Sequence, residues 1–150
     1  MMMKITNVVT LWDFGRKIDL KNRMNIFNAD VIKNGLETFL TFASGKIISK
    51  GCKTVKNARA HVHSVFPGAK FIRIVNMTAV AHLKDRPNIV NLPGVIYEPE
   101  IFPAYLWRRD RLCVVYYATG KLIITGAKSY LDLRKIFSEF KALTGIKRGE

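Results

Sequence analysis

Apolar and polar residues alternate over much of this chain, and a period of two predicts half-buried β-strands. The first such segment is 4–11, and others follow at 25–33, 36–42 and 47–50. Asn34-Gly35 separates two of them and is a strong signal for a hairpin turn. Because 71–80 alternates in the same way, the pattern predicts a protein built mainly on antiparallel strands.

Two segments have a helical period instead. The first has an apolar stripe formed by Val55, Ala58, Val62 and Val65, and Phe66-Pro67-Gly68 ends it. The second opens with Ser129-x-x-Asp132, which resembles a capping box. Its predicted buried stripe consists of Leu133, Ile136, Phe137 and Phe140. A loop or short helix is predicted near 85–92.

The chain also contains two copies of one pattern. Residues 43–53 return as 118–128, so the turn at Gly45 is repeated at Gly120, and 5–9 return as 74–78. Such a duplication predicts two pseudo-symmetric repeats that share one core, which we place at 1–70 and 71–150. The predicted fold class is therefore α+β, with one curved antiparallel sheet and the helices on one of its faces.

Charge indicates the class of partner. The chain carries 25 basic and 11 acidic residues, a net charge of +14, and such a field attracts polyanions without distinguishing DNA, RNA and membrane. A surface of merely solvated lysines is the alternative. The 49% apolar content excludes a disordered chain, and no apolar run has the length of a membrane span.

The lack of targeting and disulfide patterns in the sequence indicates the compartment of the protein. We find no signal or transit peptide, and the two cysteines form neither a disulfide framework nor a zinc-binding pattern. We therefore expect an intracellular protein in a reducing environment.

The sheet face opposite the helices has no predicted element to cover it. Its side chains are mainly apolar and aromatic, with one asparagine in each repeat. The first repeat contributes Asn7, Val9, Leu40, Phe42, Ile48 and Lys50, and the second contributes Asn76, Thr78, Val115, Tyr117, Ile123 and Thr125. An uncovered surface of this kind predicts an interaction site.

The motifs carry a family resemblance. The duplicated I-x-N segments, the [ST]-G-K turns, Thr-Gly-Ala-Lys at 125–128 and Tyr-Glu-Pro-Glu-Ile-Phe-Pro at 97–103 resemble the TATA-box-binding protein family, in the family's order and over roughly 5–143. The resemblance implies a saddle with helices on its convex face. In that family the concave sheet is established to lie in a widened DNA minor groove while aromatic wedges kink the duplex.

The resemblance also implies roles for particular residues. Asn7 and Asn76 would lie at the central base pairs, where the minor groove of A·T pairs presents only acceptors. The groove floor would be lined by Val9, Leu40, Ile48, Thr78, Val115, Ile123 and Thr125. The wedges would be Phe102 with Tyr117 in the second repeat and Phe42 in the first. Phosphates would be contacted by Lys46, Lys53, Arg108, Lys121 and Lys128.

A protein contact is implied as well. In the family, the loop called the second stirrup carries an acidic and apolar patch that docks transcription factor IIB. Glu98, Glu100 and Ile101 match that patch, and a solvated loop is the alternative.

The first repeat departs from the family pattern. Only about a dozen residues separate Arg23 from Gly35, so its stirrup is expected to be lost or reduced to the Asn34-Gly35 hairpin. Phe27 is either a substitute wedge or buried against the helices. Lys50 stands where the second repeat has Thr125. These differences predict lopsided binding, with the stronger kink at the second-repeat end.

Catalysis and cofactors are not expected. His61 and His63 lie two apart on a predicted helix and so face different directions, which does not favour a metal site. The acidic residues show no pairing for acid–base chemistry, and no phosphate-binding loop or serine-nucleophile motif occurs.

The sequence thus favours a transcription initiation factor that binds the minor groove of A·T-rich promoter DNA, bends it and recruits a transcription factor IIB-like protein. It would act in the nucleus or at the site of transcription of its host or virus. The alternative is a scaffold that binds transcription proteins with little sequence reading, and a third possibility is the substrate-gripping domain of a nucleic-acid enzyme. Without DNA, the open face is expected to permit self-association.

Overall fold

Nine strands, two α-helices and one 3₁₀ turn are seen in a computed structural model, which describes residues 3–20 and 29–146. The strands are β1 (Lys4–Asp13), β2 (Ala29–Asn34), β3 (Glu37–Phe42), β4 (Lys46–Cys52), β5 (Lys70–His82), β6 (Ile96–Tyr97), β7 (Tyr105–Arg109), β8 (Leu112–Tyr116) and β9 (Lys121–Ala127). The helices are α1 (Val55–Val65) and α2 (Tyr130–Thr144), and the 3₁₀ turn is Ile89–Asn91. The strand predicted at 25–33 is present from Ala29 onward, and its earlier residues, Phe27 among them, lie outside the described part.

The strand order is β2-β3-β4-β1 in the first half of the chain and β5-β9-β8-β7-β6 in the second. The chain divides into two compact units: the first comprises Thr6–Asn76, and the second begins at Met77 and includes the residues up to Ile5. Within each unit, three consecutive antiparallel strands lead into one helix, as the duplicated pattern predicts. The α+β fold class is confirmed.

Both helices begin at a capped residue, Ser129 as predicted for α2 and Thr54, which was not predicted, for α1. Thr54 Oγ1 accepts a hydrogen bond from the Asn57 N–H at 3.0 Å, and Ser129 Oγ accepts one from the Asp132 N–H at 3.0 Å. Among the described hydrogen bonds, the Asp132 carboxylate does not accept one from the N–H of Ser129, which a capping box would require. Its carboxylate accepts a bond from the Lys128 N–H at 3.0 Å, one residue earlier, and so fixes the approach of β9 to α2.

Alternate residues of the strands supply the core. In the first unit, the buried side chains that pack together include Trp12, Phe39 and Ile47 from the sheet and Ala58, Val62 and Phe66 from α1 and the residue that ends it. In the second unit, the rings of Trp107 and Tyr116 lie 6.2 and 6.4 Å from that of Phe140 on α2. The four residues of the predicted α2 stripe are all buried.

The two units contain equivalent hairpins. Gly35-Leu36 joins β2 to β3, and Asp110-Arg111, 75 positions later, joins β7 to β8. The first loop residue has positive φ in both, +66° at Gly35 and +55° at Asp110. The predicted hairpin is therefore confirmed. The expectation that the first stirrup is lost or reduced to this hairpin stays a prediction, because residues 21–28, which precede β2, lie outside the described part.

Each unit also carries the same β-bulge, where β1 meets β4 and where β5 meets β9. Gly51 and Gly126 lie next to these bulges at φ +102° and +91°. A Cβ atom on Gly51 would overlap the carbonyl oxygen of Leu36, and one on Gly126 would overlap that of Arg111. Both positions therefore require glycine for its conformation and for its lack of a side chain.

The steric requirement at Gly126 can be separated from the conformational one. Gly68 has φ +79° and open space where a Cβ would be, so Gly68→Ala tests the conformation alone. We expect Gly68→Ala to lower the free energy of unfolding by about 1–2 kcal/mol. Gly126→Ala should cost about 1–3 kcal/mol more, because the backbone must shift. Urea denaturation of the two variants measures the difference, and equal losses would contradict it.

Candidate nucleic-acid interface

The sheet face opposite α1 carries the residues predicted for the first repeat. On β1, Asn7 and Val9 are partly exposed and alternate with buried Val8 and Thr10. Leu40 of β3 lies opposite Ile48 of β4, and Phe42 is also half-buried on this face. The structure thus gathers these side chains on one face of the first unit, which we call the first open face.

Two further residues of the first open face were not predicted. Val31 and Thr38 line a shallow depression together with Leu40, Ile48 and Lys50. Val31 is paired with Leu40, and Thr38 with Lys50. Lys50 is exposed at the edge of this apolar patch. The alternation of β2 and β3 carried a signal for both missed residues, since each lies two positions from a predicted one or opposite it.

The second unit has an equivalent open face. Val115 of β8 lies opposite Ile123 of β9, and the hydroxyl oxygens of Thr78 and Thr125 are 3.2 Å apart. Leu106 of β7 is paired with Val115 and belongs to the same face, although it was not predicted. Its neighbour Trp107 is buried, and that alternation is the signal that could have located it.

Asn7 is held in place by the bulge. Its Oδ1 accepts a hydrogen bond from the Gly51 N–H at 2.8 Å. Because the Asn7 carbonyl oxygen accepts this bond, the Asn7 NH₂ group is the part of the amide that can donate to other partners. Asn76 holds the corresponding position on β5 and is half-buried.

The predicted wedges of the second repeat form an aromatic pair. The rings of Phe102 and Tyr117 have centroids 6.1 Å apart and planes at 63°, an edge-to-face arrangement. Phe102 is 38% exposed. In the described part of the chain, Phe42 makes no comparable ring contact. Within the described part, the two units thus differ in the ring contacts at these positions.

The loop before Phe102 is a tight turn that presents its side chains outward. The N–H groups of Ile101 and Phe102 both donate to the Glu98 carbonyl oxygen at 2.9 Å. Ile101 is 80% exposed, and Glu98 and Glu100 are exposed as well. The three predicted partner-binding residues therefore lie together on one turn.

The five basic residues predicted to contact phosphates are all exposed: Lys46, Lys53, Arg108, Lys121 and Lys128. Lys46 Nζ lies 3.1 Å from Asp13 Oδ2. A hydrogen bond from the Gly15 N–H, together with the Lys46 ammonium, lowers the pKa of Asp13. Lys121 occupies the matching place on β9, where it faces His82 and has no ion-pair partner in the described part.

Other basic residues are held by α2. Arg109 pairs with Glu139, and Arg111 lies 2.6 Å from Asp132. The Lys128 N–H and then the Arg111 guanidinium lower the pKa of Asp132. These arginines thus fasten the β7–β8 hairpin to the helix.

A polar cluster on the helix side of the first unit was not predicted. Glu37, Cys52 and His61 place their ligand-type atoms within 4.8 Å of one another. His63 faces elsewhere, with Nε2 2.8 Å from the Ala69 carbonyl oxygen, so the two histidines diverge as expected. The cluster was missed because its members come from β3, β4 and α1. Over the described ranges, neither helix has the length and apolar character needed to cross a membrane.

The fold and these faces define a class: a duplicated α+β protein in which each unit leaves one antiparallel sheet face open. The chain belongs to the family described as transcription factor TFIID, or TATA-binding protein, whose model matches residues 71–143.

Individual relatives cover more of the chain. The TATA-box-binding protein of Methanothermococcus thermolithotrophicus is 31% identical over 94% of this chain and 95% of its own length. TATA-box-binding protein 3 of Methanosarcina mazei is 33% identical over 75% of this chain and 73% of its own. The solved structure of Methanococcus jannaschii TBP superimposes with a TM-score of 0.83 at 27% identity, covering 97% of this chain and 99% of that one.

Proposed function

We propose that this protein is a non-enzymatic transcription initiation factor that binds the minor groove of A·T-rich promoter DNA inside the cell and bends it. The observation that carries the proposal is the open sheet face of each unit, apolar apart from an asparagine and a few other polar side chains. Relatives named for TATA-box binding support the choice of DNA. The net charge of +14 supports a polyanionic partner.

The two asparagines suit the chemistry of A·T pairs. Since those pairs present only acceptors in the minor groove, a donor is the polar group that such a surface needs. The Gly51 N–H occupies the Asn7 oxygen, so the amide nitrogen is the group available to donate. The apolar residues around it would pack against sugars and unstacked bases.

The aromatic side chains support unequal bending at the two ends. Phe102 and Tyr117 support each other, so together they can enter a base step as one wedge. Phe42 has no such ring partner in the described part, and Lys50 adds a charge to the same face. Unstacking a base step costs a few kcal/mol, which the wider contact with bent DNA offsets. We therefore place the stronger kink at the second unit.

The stirrup turn is the proposed contact for a transcription factor IIB-like protein. Two exposed glutamates beside an exposed isoleucine form an acidic and apolar patch on a strongly basic chain. Such a patch is repelled by DNA phosphates and can attract a basic protein surface. Without either partner, the apolar open faces are proposed to self-associate.

A second candidate function follows from Lys50. In the second unit the hydroxyls of Thr78 and Thr125 form a hydrogen-bonded pair, and the first unit has Val9 and Lys50 at these positions. The first open face is therefore less suited to line the floor of a minor groove. The protein would then act as a scaffold that keeps the stirrup contact with little reading of DNA sequence.

DNA binding and bending test the leading proposal. We expect tighter binding to an A·T-rich duplex than to a G·C-rich duplex of equal length, with bending reported by energy transfer between its ends. Phe102→Ala should weaken A·T-rich binding roughly tenfold to a hundredfold and reduce the bend, because a Phe side chain contributes about 1.5–3 kcal/mol on burial. Phe42→Ala should have a smaller effect.

Tyr130→Ala is the control for this pair, since Tyr130 is an exposed aromatic residue on α2. It should leave affinity and bend unchanged. Absence of both A·T preference and bending would contradict the proposal and favour the scaffold, whereas a larger loss with Phe42→Ala would contradict only the assigned asymmetry.

Phosphate contact by Lys121 predicts a change in salt dependence. Lys121→Ala should weaken binding to all duplexes similarly and reduce the slope of log K against log salt by about 1, because one fewer counterion is released. Lys56→Ala removes the same charge from the exposed surface of α1 and should leave the slope unchanged. Titrations at several salt concentrations measure both, and equal slopes for the two variants would rule out this contact.

The stirrup contact is tested by charge reversal. Glu98→Arg should weaken assembly of the transcription factor IIB protein of the same source on the protein–DNA complex by at least about tenfold, or 1.4 kcal/mol. DNA affinity should not fall. Asp85→Arg makes the same charge change at another exposed position of the second unit and should have no effect on assembly. If both variants assemble like the unaltered protein, the stirrup is not the contact.

A further inference from the structure

The Glu37–Cys52–His61 cluster combines three kinds of metal ligand at one place. His61 Nδ1 lies 2.7 Å from Glu37 Oε2, and the ligand atoms of all three residues are within 4.8 Å of one another. The ligand atoms of a tetrahedral zinc ion are roughly 3.3–3.8 Å apart, given bonds of about 2.0–2.3 Å. Small side-chain movements would therefore bring these three atoms to zinc-binding distances.

The internal repeat provides a comparison. Residues of β3, β4 and α1 have their counterparts 75 positions later, and there Glu37, Cys52 and His61 correspond to Leu112, Ala127 and Ile136. The match is structural as well, because Gly51 closely approaches Glu37 as Gly126 approaches Leu112. The fold is thus built with apolar residues at these positions, and the first unit has replaced all three with ligand-type residues.

A fourth position shows the same replacement. Ser49 corresponds to Ile124, is fully buried, and has an Oγ atom without a hydrogen-bond partner in the described part. It lies three residues before Cys52 on β4, and both side chains are buried. A buried hydroxyl without a partner is costly unless something binds it.

We propose that Glu37, Cys52 and His61 bind a divalent transition-metal ion, with Zn²⁺ as the fitting ion. Thiolate, imidazole and carboxylate are the ligands that zinc takes in proteins, and Ser49 Oγ or a water completes four-coordination. The side chains of Glu37 and His61 are 18% and 39% exposed, which gives an ion a route from solvent. Binding displaces the thiol proton.

The ion would have a structural role. Its ligands come from β3, β4 and α1 of the first unit, so it would fasten the helix to the end of the sheet. In the second unit, the apolar residues Leu112, Ala127 and Ile136 hold the corresponding positions. Because a structural metal adds its binding free energy to folding, the proposed site would raise the stability of the first unit.

Metal titration of the full chain tests this. After chelation and dialysis, calorimetry with Zn²⁺ should show one saturable site per chain, and Co²⁺ should give a thiolate-to-cobalt charge-transfer band. Cys52→Ala and His61→Ile, which install the residues of the second unit, should lower affinity by more than the ~100-fold typical of outer-shell losses. Zinc should raise the melting temperature of the unaltered protein but not that of Cys52→Ala or His61→Ile.

Cys113→Ala and His82→Ala are the matched controls, because these residues lie outside the cluster. Both should keep the site and the stabilisation by zinc. Absence of a one-to-one site in the unaltered protein, absence of the thiolate band, undiminished binding by Cys52→Ala, or loss of binding by Cys113→Ala would each overturn the proposal. If Cys52→Ala does not fold, the cobalt spectrum of the unaltered protein still decides.

Discussion

In the described part of the chain each unit has one α-helix, and one helix can cover only one face of a sheet. Trp12, Phe39 and Ile47 pack with α1 in the first unit, and the rings of Trp107 and Tyr116 lie near Phe140 of α2 in the second. Because strand side chains alternate, burying these residues directs their neighbours to the opposite face. That face carries apolar residues, and within residues 3–20 and 29–146 no helix or strand covers them. The proposed DNA contact is a consequence of this arrangement, since the apolar open face is what remains for a partner.

The same constraint makes the bulge glycines central to the site. Gly51 has no side chain, so β4 can approach Leu36, and its N–H is directed at Asn7. Gly51 therefore both permits the close approach of the strands at the bulge and orients the Asn7 amide. The same conformation and close approach occur at Gly126 in the second unit. The proposed interface and the packing of the sheet are thus coupled through the backbone.

What was predictable from the sequence is what depends on local order. Strand alternation, the cap at Ser129 and the α2 stripe depend on patterns a few residues long, and each is present as predicted. The hairpin at Gly35 was predicted, but the equivalent hairpin at Asp110 was not. The two residues share a backbone conformation but not a residue type, so the sequence does not reveal the match. The Glu37–Cys52–His61 cluster joins three elements, so no spacing along the chain reveals it.

The two units have diverged on opposite faces, and this bears on how the molecule works. On the open face, the first unit has Lys50 where the second has Thr125, which is bonded to Thr78. On the helix side, it has polar residues where the second has Leu112, Ala127 and Ile136. Changes on the open face alter what can be bound, whereas changes beneath the helix alter only how the unit holds together. A metal ion beneath α1 would therefore restore cohesion where apolar packing was lost, without adding anything to the face proposed to meet DNA.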